Sequence, residues 1–251
     1  MKISFCIITL NEEENLGRCL ESARGLADEL VVVDSGSTDG TERIARDAGA
    51  RWIEQPWLGF VGQKNRALEL AAHDWVFSID ADEALSARLR DEVWRLREGG
   101  GADHIAGYSM PRCVYYEGRW IRHGDWYPDR LTRLFRRGRG AFAGGKVHER
   151  LVLDGPVAPL RGDLLHYSFK DAADHEARSQ RYARLWAETR HEAGRTCGPV
   201  APCAHALFRW LRGYLLRGGF RDGRQGWRIA RMNSREVRLK YRLLRQLGRG
   251  K

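Results

Sequence analysis

The spacing of apolar and polar residues along the chain predicts an alternation of strands and helices. KISFCIITL, residues 2–10, is a short apolar run with no polar alternation, as expected of a strand buried on both faces. Asn11 is expected to cap the helix that follows in EENLGRCLESAR, with acids in its first turn. DELVVVDS predicts the next buried strand, ending at Asp34. The turn-rich SGSTDGT then opens a helix in TERIARDAGA, with Ser37 or Thr38 as its cap. A short strand at RWIEQPW, a helix at VGQKNRALELAA and the strand WVFSID complete the series. Strands and helices in strict alternation predict a parallel sheet with helices on both faces.

After Gly99 the pattern changes. HIAGYSM, RCVYYEG, RLTRLFRR, KVHERLVLDG and LLHYSF read as shorter strands and predict an antiparallel extension of the sheet. From Lys170 the period is helical. One helix is expected to about Glu192, a second from Pro202 to Leu216, and a third from Gln225 to Leu247.

Composition adds bounds to this picture. A chain of 251 residues, 43% hydrophobic with nine Trp and eight Phe, has the means for a large core. The opening residues read as a strand rather than a secretion signal, and no run approaches the roughly 20 apolar residues of a membrane-spanning helix. Five scattered cysteines, with no CxxC, suit reduced thiols in a cytosolic protein. His191, Cys197, Cys203 and His205 could be gathered as a zinc site, but their spacing fits no common ligand pattern. The net charge of +10 is uneven: residues 205–251 carry 14 Lys and Arg against Asp222 and Glu236, so the tail holds +12 and the remainder −2. Such asymmetry points to an anionic partner for the tail.

The candidate chemistry lies where the strands end. In an open α/β sheet, ligands sit outside the carboxyl ends of the strands, and Asn11, Asp34 and Asp80 all fall there. Asp80 and Asp82 in WVFSIDADE place two carboxylates close together, and a divalent cation shared with substrate phosphates would relieve their repulsion. Two solvated acids in a capping turn would leave the same trace; the apolar strand before them and the neighbouring polar strand ends favour metal and phosphate. The small residues of DSGSTDGT let backbone approach a ligand, and Asp34 can accept from a base NH or a ribose hydroxyl. TLNEEEN has no GxGxxG, which disfavours a dinucleotide site, and no GxxxxGK[ST] occurs.

In order along the chain, ISFCIITLNEEENLGRCLES, VVVDSGSTDGT, GFVGQKNRAL and WVFSIDADE, continued by KVHERL and LLHYS, resemble glycosyltransferase family 2, inverting enzymes of the GT-A fold. HERLVLDG, LLHYSF and the basic C-terminus resemble the branch containing lipopolysaccharide core β-1,4-glucosyltransferases. The resemblance implies an α/β, Rossmann-like GT-A fold: a mostly parallel sheet with an antiparallel extension, plus a helical C-terminal region. It implies a glycosyltransferase domain over 1–170, with a nucleotide half (1–100) and an acceptor half (101–170), and a basic helical region over 171–251. Thr9, Asn11 and Glu12 are implied to contact the nucleoside, Asp34 the uracil or ribose, and Lys64 the nucleotide. Asp80 would hold the ribose or a metal-bound water, Asp82 the metal, Mg²⁺ or Mn²⁺, and His166 a later metal or diphosphate position. The family's base lies in an ED-like pair; this chain has His148-Glu149 there, which makes Glu149 the expected base and His148 its neighbour. Trp120, Trp126 and Tyr127 are candidates to stack on acceptor sugar or to serve as core.

The implied reaction moves a hexose, glucose in that branch, from a UDP-sugar to a lipid-linked glycan such as the lipopolysaccharide inner core. Two other readings stay open: transfer to a polyprenyl phosphate, and a non-catalytic protein that binds nucleotide sugar or an anionic surface. Arginines at 228, 231, 235, 238, 242 and 245 fall on one helical stripe. With HALFRWLRGYLLRGGF before them, they suit a peripheral place on the cytoplasmic face of a bacterial inner membrane, through residues 205–251. A solvated helical pair is the competing reading, and the body shows no nucleic-acid module.

Overall fold

A computed structural model of the chain describes residues 1–145, 148–169 and 172–248. The uninterrupted apolar runs form the middle of a sheet. The first elements are β1 (Ile3–Thr9), α1 (Leu16–Ala23), β2 (Glu29–Asp34), α2 (Thr41–Asp47), β3 (Arg51–Glu54), α3 (Gly59–Leu70) and β4 (Trp75–Asp80). β1 lies between β2 and β4, and β3 lies outside β2, all parallel. Both faces of these strands are covered, so burial is nearly continuous along β1 and β4. The pleat still sorts side chains between two cores. Ile3, Phe5 and Ile7 join Leu16 and Leu20 of α1 and Phe77 of β4 on one side. Cys6, Val31, Val33 and Val76 join Ala67 and Leu68 of α3 on the other. Phe5 and Phe77, register partners on adjacent strands, stack with ring centroids 4.8 Å apart.

Two elements come next that the expectations above pass over: β5 (Glu83–Leu85) and α4 (Ala87–Gly99). Ser86 caps α4, its hydroxyl accepting from the Leu89 amide at 3.3 Å. Three residues are too few to show a strand period, but Leu89 and Val93, buried four apart, are a helical signal the sequence does carry.

β6 (Gly107–Tyr116) is one strand where the sequence predicts two. Pro111 divides HIAGYSM from RCVYYEG in the sequence; in the structure it pairs in register with Arg130 and the strand continues. β7 (Arg119–Ile121) returns along the end of β6 through Glu117 and Gly118. Their φ values of 45° and 83° are the two positive angles of a primed two-residue hairpin turn. β8 (Asp129–Arg136) is antiparallel to β4 and β6. β9 (Gly140–Gly145) and β10 (His148–Leu153) pair with each other as a separate two-stranded sheet, rather than joining the extension as the sequence suggested. β11 (Val157–Pro159) pairs with β6, and β12 (Leu164–His166) lies between β6 and β5. The main sheet therefore runs β3-β2-β1-β4-β8-β6-β12-β5, a parallel half with an antiparallel extension. With the helices that follow, this is the fold class read from the sequence.

The chain divides into two compact units. The first holds Met1–Arg112 and Asp129–His166; the second holds Cys113–Pro128 and the chain from Tyr167 onward. The second unit contains α5 (Ala172–Glu192), α6 (Ala201–Trp210), a π-helical continuation at Leu211–Leu216, a 3₁₀ turn at Gly219–Asp222 and α7 (Gly223–Leu247). Tyr116, Ile121 and Ile229 form a small core there. α7 starts so close to the 3₁₀ turn that a Cβ on Gly226 would lie 1.9 Å from the Gly219 carbonyl oxygen. Among the described residues no helix is long and apolar enough to cross a membrane.

Candidate active site

The loops after β1 and β2 are laced together by short polar side chains. Thr9 ends β1 and donates its hydroxyl to Asp34 Oδ1 at 2.9 Å. Asp34 Oδ2 accepts from the amides of Gly36 and Ser37 at 2.8 and 2.7 Å, and Oδ1 also accepts from the Ser37 hydroxyl. A carboxylate has about four acceptor sites, so all of those on Asp34 are filled. Asp34 is 1% exposed and orders the SGST loop from within; a nucleoside would meet it only by displacing a donor such as Ser37.

Asn11 is not the cap of α1, which starts at Leu16 with Asn15 in the cap position. It has a left-handed backbone, φ 54°, and its side-chain oxygen accepts from the Thr38 amide at 2.9 Å. Its own amide donates to Ser37 Oγ at 2.8 Å, and the Glu12 amide donates to Thr41 Oγ1 at 2.9 Å. The N-cap position of α2 is Gly40, not Ser37 or Thr38, and Asp39 accepts from the Thr41 amide at 3.0 Å. The polar residues expected to make caps instead hold one loop to the other.

At the end of β4 the geometry is ionic. Lys64 of α3, 4% exposed, reaches Asp80 Oδ1 at 2.9 Å and Glu149 Oε1 of β10 at 3.2 Å. Arg133 of β8, 5% exposed, reaches Asp80 Oδ2 at 2.6 Å and Glu83 Oε1 at 2.8 Å. Burial alone would raise the Asp80 carboxyl, but Arg133 and Lys64 outweigh it and hold that carboxyl far below the usual carboxylate range. Burial likewise opposes the charge on Arg133, and Asp80 and Glu83 more than restore it. Glu83 Oε2 also accepts from the Asp80 amide at 3.1 Å, which fixes the turn after β4. Arg112 extends the network, 3.9 Å from Glu83 and 2.6 Å from Asp129.

Arg133 and Arg112 are missing from the residues that the sequence singled out, and Glu83, which closes WVFSIDADE, is given no role there. One signal for Arg133 was present: an arginine between apolar residues in LTRLF, in a chain whose buried strand ends in carboxylates. Which carboxylates it meets, 50 and 53 positions away, no local pattern shows.

Asp82 stands apart from this network, facing His166 of β12 with Oδ2 3.2 Å from Nε2. That spacing closes as a hydrogen bond, and it also suits two adjacent ligands of one octahedral ion with bonds of about 2.1 Å. The other imidazole nitrogen, Nδ1, is buried with no hydrogen-bond partner. Five carboxylates (Asp80, Asp82, Glu83, Asp129, Glu149) face three Lys and Arg cations (Lys64, Arg112, Arg133), so carboxylates outnumber those cations by two. A carboxylate and an imidazole, with carboxylates in surplus around them, fit a divalent ion completed by phosphate oxygens and water. Asp80 fits less well as a ligand, because both its oxygens are already held by cations. No three His, Cys, Asp or Glu side chains come together as a metal site among the described residues.

The backbone of His148 opens β10, but its side chain lies outside the described residues. In the second unit Trp126 stacks on Phe169, with centroids 5.2 Å apart, and Trp120 packs edge-on to Tyr167 at 5.2 Å. Both are thus built into aromatic clusters. Cys197 donates to the Tyr241 carbonyl at 3.2 Å and His205 stacks on the Tyr241 ring at 4.2 Å.

The pattern of Glycosyl transferase family 2 matches residues 4–148, which includes β1 from Ser4 onward, β2 to β4, Asp34, Lys64, Asp80, Asp82 and Arg133. The chain belongs to glycosyltransferase family 2. It is 37% identical over 230 residues to the lipopolysaccharide core biosynthesis glycosyltransferase LpsC of Rhizobium meliloti (strain 1021), covering 89% of this chain and 82% of that protein. It is 30% identical over 235 residues to an uncharacterized glycosyltransferase of Rickettsia prowazekii (strain Madrid E), covering 90% of this chain and 80% of that one. Among solved structures, glucosyl-3-phosphoglycerate synthase from Mycobacterium tuberculosis, in complex with Mn²⁺, UDP and glucosyl-3-phosphoglycerate, is 31% identical with a TM-score of 0.35, covering 47% of this chain and 44% of that one.

Proposed function

We propose that this glycosyltransferase moves a hexose from a UDP-sugar to a lipid-linked glycan, with inversion at the anomeric carbon, and that it needs a divalent metal. The observation that carries the reading is the Asp82–His166 pair beside the Lys64–Asp80–Glu149 cluster at the carboxyl end of β4. The similarity to a lipopolysaccharide core biosynthesis glycosyltransferase supports the acceptor class.

Asp82 and His166 would hold Mg²⁺ or Mn²⁺, which when bound stabilises charge on the departing diphosphate. The loops ordered by Asp34, Thr9, Asn11 and Glu12 form the nucleoside side of the site. Glu149 takes the proton of the acceptor hydroxyl as the new C–O bond forms and the bond to UDP breaks, its electron pair leaving with the diphosphate. Lys64 holds Glu149 in place and keeps positive charge near the phosphates. Arg133 holds Asp80 and Glu83 by ion pairs, so that the turn carrying Asp82 keeps one geometry. Peripheral placement on the cytoplasmic face of a membrane, through residues 205–251, belongs to this reading, because the acceptor is a lipid.

The test is calorimetric titration of UDP into wild type and Asp82→Ala, each with Mn²⁺ and with EDTA. Binding that depends on metal in wild type, and on neither condition in the variant, is expected. Equal affinity with and without metal in wild type would remove the metal from the reading. Polyprenyl phosphate as acceptor would use the same rim, and a turnover assay with each acceptor class separates the two; tight UDP binding with no turnover would favour a binding protein.

A further inference from the structure

α6 and its π-helical continuation pack inside out. The residues they bury are Pro202, Ala206 and Gly213, all small or compact. The residues they expose are large and apolar: Leu207, Phe208, Leu211, Leu215 and Leu216, from 37% exposed at Leu211 to 78% at Leu216. Leu207, Leu211 and Leu215 recur every fourth position and make one stripe. A helix facing water on that side would carry polar residues there.

The stripe continues into an aromatic cluster. Tyr214 lies 5.2 Å from Trp210, 5.3 Å from Trp227 and 6.3 Å from Phe220, and the last two are 44% and 48% exposed. Trp227 stands three residues after Arg224 and four before Arg231, so it shares a face of α7 with arginines 224, 231, 235, 238 and 242. Those five arginines are exposed, and among the described residues none has an acidic partner. Arg209, Arg212 and Arg217 differ: they turn inward to the buried Asp125, at 3.1, 3.2 and 3.4 Å. The apolar stripe has thus given up its own cations to the interior, while unpaired cations line the adjoining face.

We infer that this face of the second unit docks on an anionic lipid bilayer. Leu207, Leu211 and Leu215 enter the headgroup boundary, Trp210, Tyr214 and Trp227 sit at its level, and the α7 arginines meet lipid phosphates. Apolar side chains beside amphipathic rings and an unpaired cationic stripe match the depth profile of a membrane interface. The arginines supply the charge complementarity that selects a lipid surface over an uncharged apolar partner. The inference rests on the peripheral placement proposed above and narrows it to particular side chains, with insertion rather than charge alone as the anchor.

The test is vesicle flotation of the full chain, with phosphatidylcholine alone and with phosphatidylglycerol added. The proteins are wild type, Leu207→Gln/Leu211→Gln/Leu215→Gln, and Arg231→Gln/Arg235→Gln/Arg238→Gln. All six positions are exposed, thermal unfolding by circular dichroism reports that each variant is folded, and UDP titration tests the proposed reaction separately. Wild type should float with the anionic vesicles, and each triple variant should lose roughly tenfold or more in bound fraction. A leucine variant that floats like wild type would overturn insertion, leaving electrostatic adsorption. A wild type that floats with neither vesicle would overturn docking altogether. A wild-type dimer that the leucine variant converts to monomer would assign the face to a second copy instead. Loss of UDP binding in wild type would count against the proposed reaction and leave the flotation result readable.

Discussion

Arg133→Met keeps much of the stem and removes the guanidinium between two carboxylates. Glu83 has 0% side-chain exposure, and Arg112, the other cation near it, is 3.9 Å away. Removing one partner of a buried ion pair strands a charge at a cost of about 3–5 kcal/mol. Asp80 is 26% exposed and keeps its bond to Lys64, so the lower end, about 3 kcal/mol, is expected. That is a fall of roughly 6–12 °C in the melting temperature of a domain of this size.

The pH dependence carries a second sign. Asp80 has a depressed folded pKa, so its contribution is full above the ordinary value of 3.8 and is lost as pH falls through and below it. Wild type should therefore lose stability below about pH 4, and Arg133→Met should show a shallower loss there. Thermal unfolding by circular dichroism at pH 7, on wild type, Arg133→Met, Glu83→Gln and the double variant, measures the coupling. The double variant should recover part of the loss, because the stranded carboxylate is gone. A single-variant loss of less than about 1 kcal/mol, or a double variant whose losses simply add, would refute the argument that Arg133 neutralises this turn.

Glu149→Gln removes the proposed base while keeping shape; kcat should fall by roughly 10²- to 10⁴-fold while UDP affinity stays within a few-fold. A variant with near-normal kcat would move the base elsewhere. Gly226→Ala places a Cβ against the Gly219 carbonyl and should destabilise the second unit by about 1–3 kcal/mol, read by thermal unfolding; an unchanged melting temperature would mean that α7 shifts freely at its start.

The parallel half of the fold was legible because its signals are local. ISFCIIT, ELVVVD and WVFSID are unbroken apolar runs with polar ends, and the structure makes each a strand within a residue or two of the expected limits. The helices after Lys170 were legible by their period. The antiparallel half was less so. A proline inside β6 looks like a break, β5 has three residues, and nothing in AFAGG or HERLVL tells a separate hairpin from another strand of the sheet.

The same division runs through the candidate site. The sequence by itself determined which carboxylates stand at strand ends, Asp34, Asp80 and Asp82, because a buried run must stop where charge begins. It also set the family, through ordered motifs. Only the tertiary structure decided what those carboxylates touch. Asp34 is saturated by its own loop, Asp80 is held by Lys64 and Arg133, and Asp82 is left to His166. Likewise the arginine-rich tail looked uniform as a sequence. Folding split it, taking Arg209, Arg212 and Arg217 inward to Asp125 and leaving the α7 stripe outside. The physical reason is one of range: burial and period are properties of neighbouring residues, whereas a charge finds its partner across 50 or 80 positions of chain, and only the closed fold brings the two within reach.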